Sequence, residues 1–115
     1  MKRIATVTGI LIMLIAIVAF AQVRDTTGRL TADSLIYPGP AVLYGVLIET
    51  NGTDNVTLIL YDNTSATGKV LRKLIVPAAN YYGGFELPVG LRATTGIYAD
   101  VTGTGAAFWL TWGRQ

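Results

Sequence analysis

The sequence contains neither cysteine nor histidine among its 115 residues. Without cysteine the chain cannot form disulfides, and without either residue it lacks the thiolate and imidazole ligands of most zinc and transition-metal sites. Histidine is also the side chain that most often acts as a general base beside a catalytic nucleophile. These absences predict a protein that is not an enzyme and that holds no metal or other cofactor.

Charged residues are also scarce, at 14% of the chain, which is low for a domain surrounded by water. Lys2 and Arg3 account for the net charge of +2, so residues 22–115 are neutral overall. A neutral body lacks the basic surface with which proteins bind the phosphates of nucleic acid. We therefore expect no nucleic-acid partner.

The chain begins with an apolar segment, over residues 1–23, that has two main interpretations. As a signal peptide it would be cleaved before Gln22, because Ala19 and Ala21 supply small residues at the two positions that a signal peptidase inspects. As an anchor, residues 4–23 would span ~30 Å at ~1.5 Å per residue, which matches a bilayer core. The apolar side chains that would serve either role are Ile10, Leu11, Ile12, Leu14, Ile15, Ile17, Val18 and Phe20.

A third interpretation of this segment is a pilin-like leader that is cut after Gly9 and leaves an assembly helix. Bacterial type IV pilins usually carry an acidic residue early in that helix, and residues 10–23 contain none. Whichever interpretation holds, we expect a hydrophobic helix over residues 1–23, a polar linker over residues 24–34 and a β-sandwich domain over residues 35–115.

Short strands separated by turn residues account for the rest of the chain. Alternating apolar side chains bounded by Gly, Pro, Asn and Asp predict strands at residues 35–37, 41–50, 56–62, 70–76 and 85–89. In the strand over residues 41–50, the alternation places Val42, Tyr44, Val46 and Ile48 on one face. The opposite face would then carry Leu43, Gly45, Leu47 and Glu49.

The end of the chain has the clearest strand pattern. Residues 97–102 alternate apolar and polar side chains, a Gly-Thr-Gly turn follows at residues 103–105, and the alternation resumes over residues 107–112. This pattern predicts a β-hairpin with one face in the core and with Tyr98 and Trp109 on the other. The fold class that we predict is all-β, either an antiparallel β-sandwich or a small jelly-roll-like barrel.

Aromatic side chains are the main candidates for a binding surface, because Tyr and Trp are enriched at interfaces. The strand over residues 56–62 carries Ile59 and Tyr61 opposite its other apolar face. Strands that are apolar on both faces, in a domain with little charge, indicate a surface covered by neighbours. The candidate interface residues are Ile59, Tyr61, Tyr81, Tyr82, Phe85, Tyr98, Trp109 and Trp112.

Other polar motifs have simpler explanations. Asp54, Asn55, Asp62 and Asn63 have calcium-ligand chemistry, but their spacing resembles no known calcium loop, so ordinary turns explain them better. Sequons for glycosylation begin at Asn51, Asn55 and Asn63, and turns rich in Asn and Thr produce this pattern by chance. Stacking of the aromatic residues on sugars, as in a carbohydrate-binding module, is an alternative use of the same side chains.

Residues 42–46, 56–68 and 96–105 carry a Leu-Tyr-Asp-Asn turn followed by small residues and glycine, and a late Thr-Gly-Thr-Gly turn. In these segments the chain resembles small β-sandwich structural proteins of tailed phages, of the head-decoration or fibre type. The resemblance covers residues 41–112 and implies a non-enzymatic role in a virion or a surface assembly. The apolar segment is not part of it.

From these observations we expect a structural protein, a capsid-associated or decoration component of a virion, that assembles through its β-sandwich. Its partner would be a copy of itself or a neighbouring shell or filament protein, with membrane contact through residues 4–23 if the segment is an anchor. The alternative is an exported cell-surface or pilus-like filament subunit. The β domain would lie in a virion, or outside the cytoplasm as an exported or membrane-anchored domain.

Overall fold

The computed structural model describes residues 24–115, and this part of the chain is all-β. It contains eight strands and one short 3-10 helix, Ala78–Asn80. The strands are β1 (Asp25–Thr26), β2 (Ser34–Tyr37), β3 (Ala41–Glu49), β4 (Val56–Asp62), β5 (Lys69–Val76), β6 (Tyr82–Ala93), β7 (Ile97–Thr102) and β8 (Ala107–Arg114). The predicted N-terminal helix, with its membrane or signal residues and its cleavage residues Ala19 and Ala21, lies outside the described residues.

The strands form two four-stranded sheets in which every pairing is antiparallel. The first sheet has the order β1-β8-β3-β6, and the second sheet has the order β2-β7-β4-β5. Buried side chains from both sheets form one hydrophobic cluster, so the sheets pack face to face around it. The prediction of an all-β fold with antiparallel sheets is confirmed.

Strand β4 shows how the alternating pattern builds the core. Val56, Leu58 and Leu60 are fully buried, whereas Ile59 and Tyr61 are half-buried on the opposite face. Burying each of these aliphatic side chains contributes ~1.5–3 kcal/mol. The two faces that the alternation predicts for this strand are therefore confirmed.

The predicted faces of β3 are wrong in its first half, because the strand contains a β-bulge at Tyr44. Leu43 pairs with Trp112 and Gly45 pairs with Thr111, so β3 has one residue more than β8 at this point. The extra residue reverses the alternation. Leu43 joins Val46 in the core, and Tyr44 lies outside the core cluster, beneath the guanidinium of Arg24 at 3.9 Å from the ring centroid.

The predicted closing hairpin is also wrong, because β7 and β8 lie in different sheets. The Gly-Thr-Gly turn carries the chain across the end of the sandwich, and the two strands face each other over the core. Phe108 and Leu110 of β8 and Ile97 and Ala99 of β7 all belong to the buried cluster. Alternation around a glycine turn is common to a hairpin and to such a crossing.

Strand β6, predicted as a short edge strand, is longer and strongly irregular. Leu43 pairs with Leu91 and Gly45 pairs with Glu86, so residues 87–90 loop out of the first sheet. Pro88 lies in this loop, where its missing N–H costs no ladder hydrogen bond. Val89 at the tip is 90% exposed.

Residues 24–30, predicted as part of a linker, run along the free side of β8. Asp25 pairs with Trp112, and the Thr27 N–H donates to the Leu110 carbonyl at 2.9 Å. The Leu110 N–H in turn donates to the Thr27 hydroxyl oxygen at 2.9 Å. The arm therefore occupies hydrogen-bonding groups of β8 that would otherwise be open to another strand.

Candidate functional site

The structure divides the predicted interface residues among several places. Ile59, Tyr61 and Tyr98 lie on the outer face of the second sheet, while Trp109 and Tyr82 lie on the outer face of the first. Phe85 and Trp112 pack against the core cluster, and Tyr81 follows the 3-10 helix. The predicted residues thus define two opposite outer faces rather than one surface.

On the second sheet, the strand register places four apolar side chains in one row. Leu35 pairs with Tyr98, Tyr98 with Tyr61, and Tyr61 with Val70. The row therefore crosses all four strands in the order β2, β7, β4, β5. Leu35 is 46% exposed and Val70 is 47% exposed, and Ile75 on β5 adds another exposed side chain to this face. We call this outer surface the aromatic face.

A second row on the aromatic face carries charges. Asp100 of β7 pairs with Ile59, and Ile59 pairs with Lys73 of β5. Asp33, which precedes β2, accepts a hydrogen bond at 2.8 Å from the Val101 N–H and lies beside Asp100. Two carboxylates therefore stand at the β2 side of the face, and one ammonium group stands at the β5 side.

Burial raises the pKa of Asp100, and the charge of Asp33 and a hydrogen bond with that side chain raise it further. Asp100 is therefore harder to ionise in the folded protein than in the unfolded chain. Asp100 weakens the fold at neutral pH, and this cost fades as pH falls through its raised folded-state pKa.

Replacing Asp100 by asparagine should raise the free energy of unfolding of the monomer at pH 7 by up to about 1 kcal/mol, because it removes one of two neighbouring like charges. The gain should shrink as the pH is lowered. Thermal denaturation at several pH values measures it, and Asp25→Asn, at an exposed strand position, is the matched control. An unchanged or lowered stability at pH 7 would contradict this explanation.

The outer face of the first sheet carries a shallow groove. One part has a volume of about 570 Å³, and an adjoining part of about 400 Å³ shares Gly45, Glu86 and Thr111 with it. Gly45 and Gly84 leave the backbone bare there, and Trp109 and Leu47 stand beside them. The groove therefore combines an indole ring, a carboxylate and hydroxyl groups.

Phe85 and Trp112 have contacts within the domain. The Trp112 ring stacks on Tyr37 of the other sheet, with centroids 4.9 Å apart and an interplanar angle of 28°. The guanidinium of Arg72 lies 5.6 Å from the Phe85 ring centroid. These aromatic side chains join the two sheets at the margins of the core.

Asp62 is the buried carboxylate of the described chain, and it holds the turn between β6 and β7. Its oxygens accept hydrogen bonds from the N–H groups of Thr94, Thr95 and Gly96 and from the Thr94 hydroxyl, at 2.8–3.4 Å. Burial raises the pKa of Asp62, but these hydrogen bonds outweigh it and hold the pKa below its usual value. The role of Asp62 is structural.

The side-chain amides of the three sequons form hydrogen bonds with backbone groups. Asn51 Oδ1 accepts from Thr53 and Asp54, and Asn55 Oδ1 accepts from the Ala78 N–H at 2.9 Å. Asn63 Nδ2 donates to the Thr67 carbonyl at 2.9 Å. The contacts of Asn51 and Asn63 are local and agree with turn chemistry, whereas Asn55 contacts the 3-10 helix.

The part of the chain that the structure describes contains no helix that could serve as a membrane span, and no three of its acidic side chains converge as metal ligands would. Comparison of the chain with protein-family models, curated proteins and solved structures gave no match. Functional conclusions therefore depend on the geometry of the two outer faces.

Proposed function

We propose that this protein is a non-enzymatic structural subunit that assembles through the aromatic face, as a capsid-associated or decoration component of a virion. The observation that carries the proposal is the row of Leu35, Tyr98, Tyr61 and Val70 across the whole second sheet. A sheet in a free domain packs one face on the core and presents polar side chains to water on the other. A second apolar face fits burial against a neighbour.

The strand order supports a virion role. The orders β1-β8-β3-β6 and β2-β7-β4-β5 are those of an eight-stranded jelly roll, an architecture that occurs in viral capsid proteins and in lectins. Because one architecture can serve many functions, the strand order supports a virion role only in combination with the aromatic face.

Sedimentation of the mature chain, meaning the protein in its naturally processed form, tests this proposal. We expect oligomers or filaments whose fraction increases with protein concentration, because association follows mass action. A monomer at every accessible concentration would contradict assembly through the aromatic face. Mass spectrometry of the native protein should accompany the experiment. A mass that matches a chain starting at Gln22 would exclude the interpretation of the apolar segment as a membrane anchor.

An exported cell-surface or pilus-like filament subunit would use the same surface in the same way. The two versions differ in the particle from which the protein is isolated, either a virion or a cellular filament or membrane fraction. Isolation from a filament would favour this version and leave the role of the aromatic face unchanged.

The groove on the first sheet favours a second candidate function, carbohydrate binding. Trp109 offers a ring on which a sugar can stack, and Glu86 and Thr111 offer hydrogen-bond partners for its hydroxyls. A glycan array probed with the mature chain tests this function.

If the groove binds sugar, Trp109→Ser should weaken binding about tenfold or more, equivalent to ~1.4 kcal/mol. The fold should persist, because Trp109 lies on the outer face, outside the core cluster. Tyr61→Ser, on the opposite sheet, is the control and should leave sugar binding unchanged. Absence of binding to any glycan would exclude this candidate.

A further inference from the structure

Charges on the aromatic face are separated rather than paired. Asp33 and Asp100 lie on the β2 side, and Lys73 lies on β5. Strands are spaced ~4.8 Å apart, so Asp100 on β7 and Lys73 on β5 are separated by ~10 Å, with Ile59 between them. Within residues 24–115 the ion pair is between Arg29 and Glu49, and neither of these residues lies on β5 or β7. The face therefore presents unpaired charges of opposite sign at its two sides.

Two copies can meet through this face with the twofold axis in either of two directions. An axis parallel to the strands reverses the strand order, so β2 lies over the partner's β5 and each row meets the same row. Leu35 then faces the partner's Val70, and Tyr98 faces the partner's Tyr61. In the charged row, Lys73 faces the partner's Asp33, with the partner's Asp100 next to it.

An axis perpendicular to the strands gives the opposite result. It leaves the strand order unchanged, so each strand lies over its own counterpart. No position of this axis brings Lys73 of β5 over the partner's Asp33 or Asp100, which lie on the β2 side. If the axis passes through the charged row, like charges are juxtaposed, and at any other position the charges of opposite sign still do not meet. The charge pattern therefore distinguishes the two axes.

We infer that the aromatic face binds a second copy of this chain about a twofold axis parallel to its strands, with Lys73 of each copy pairing with Asp33 and Asp100 of the other. This inference depends on the proposed function and specifies the partner and the geometry of the contact. Such a contact is isologous, since the same patch of both copies is self-complementary, and it closes at a dimer, so larger oligomers or filaments require a second contact elsewhere on the domain. Twisted sheets pack face to face with aligned strands at a spacing of ~10 Å, as this axis requires.

Charge reversal in the mature chain tests the inference by sedimentation equilibrium. Lys73→Glu should weaken association about tenfold, because it places a carboxylate opposite two others, whereas the double variant Lys73→Glu/Asp33→Lys restores an opposite charge at the facing position and should recover much of the loss. Arg92→Glu makes the same charge change on β6 of the first sheet and should have no effect. Higher salt should weaken the wild-type contact.

The outcomes separate this inference from the proposed function. If the wild type associates but Lys73→Glu behaves like Arg92→Glu, or the double variant fails to recover, the twofold contact is wrong and the assembly proposal stands. Packing about the axis perpendicular to the strands predicts such insensitivity, because Lys73→Glu then places no carboxylate opposite Asp33 or Asp100. If the wild type remains monomeric, the proposed function itself fails.

Discussion

Replacing Asp62 by alanine should lower the free energy of unfolding by about 3 kcal/mol, enough to lower the melting temperature by about 12 °C or more. The substitution leaves the N–H groups of Thr94, Thr95 and Gly96 without their acceptor. Because this turn joins β6 of the first sheet to β7 of the second, its loss weakens the connection between the sheets. Thermal or denaturant unfolding measures the effect.

The pH dependence of this effect has a definite sign. The pKa of Asp62 is lowered in the folded protein, so its contribution is present above the ordinary pKa of ~3.9 and is lost as pH falls through the lowered value. The gap between wild type and Asp62→Ala should therefore be constant above about pH 5 and narrow in acid. A constant gap down to acid pH would contradict this explanation.

Two further variants define the cause. Asp62→Asn keeps the shape but turns an amide NH₂ toward donors, so it should be nearly as destabilising as Asp62→Ala. Asp54→Ala removes a carboxylate whose oxygen accepts from Asn51 in an exposed loop, and it should cost only a few tenths of a kcal/mol. Equal costs for Asp54→Ala and Asp62→Ala would show that the buried hydrogen bonds of Asp62 are unimportant.

Replacing both Tyr61 and Tyr98 by serine should weaken self-association about 1,000-fold or more. These rings are adjacent on neighbouring central strands of the second sheet, and central aromatic residues dominate the binding energy of interfaces. Each ring that is lost costs ~2 kcal/mol of association. The monomer should remain folded, because both side chains lie outside the core cluster. Sedimentation velocity over a concentration series measures the change.

Tyr82→Ser is the matched control for this variant. Tyr82 is 59% exposed on β6, in the first sheet, and pairs with Glu49 rather than with any residue of the aromatic face. The same chemical change at this position should leave association unchanged. Loss of association in Tyr82→Ser but not in the double variant would assign the contact to the first sheet instead.

Sequence alternation predicted the strands well because it depends on local burial. The predicted residues 56–62 coincide with β4, and residues 41–50 and 70–76 differ from β3 and β5 by one residue at one end. Turn-forming residues between the strands mark the ends of each strand. Alternation and turn-forming residues both depend only on neighbouring positions in the chain.

Alternation does not predict which strands pair when they are distant in the chain. The bulge at Tyr44 exists only relative to the partners of β3, and both faces of that strand are apolar in sequence. Likewise, a glycine turn between two amphipathic strands does not reveal whether they pair or cross the core. The sequence pattern likewise does not reveal that Asp62 is a buried hydrogen-bond acceptor, because the N–H groups that donate to it lie more than 30 residues further along the chain.

The candidate surface was found only in part for the same reason. Alternation identifies Ile59, Tyr61 and Tyr98 because it separates the two faces of β4 and of β7. Leu35 and Val70 complete the row only through the registers of the edge strands β2 and β5. Aromatic character alone also selects Phe85 and Trp112, whose rings pack against the core cluster.

Labelling of tyrosine side chains by hydroxyl radicals, in the assembled protein and in the dilute monomer, tests most directly whether the aromatic face is the contact surface. Labelling of Tyr61 and Tyr98 should fall several-fold on assembly, while Tyr82 on the opposite sheet should be labelled equally in both states. Equal labelling of Tyr61 and Tyr98 in assembly and monomer would contradict assembly through the aromatic face.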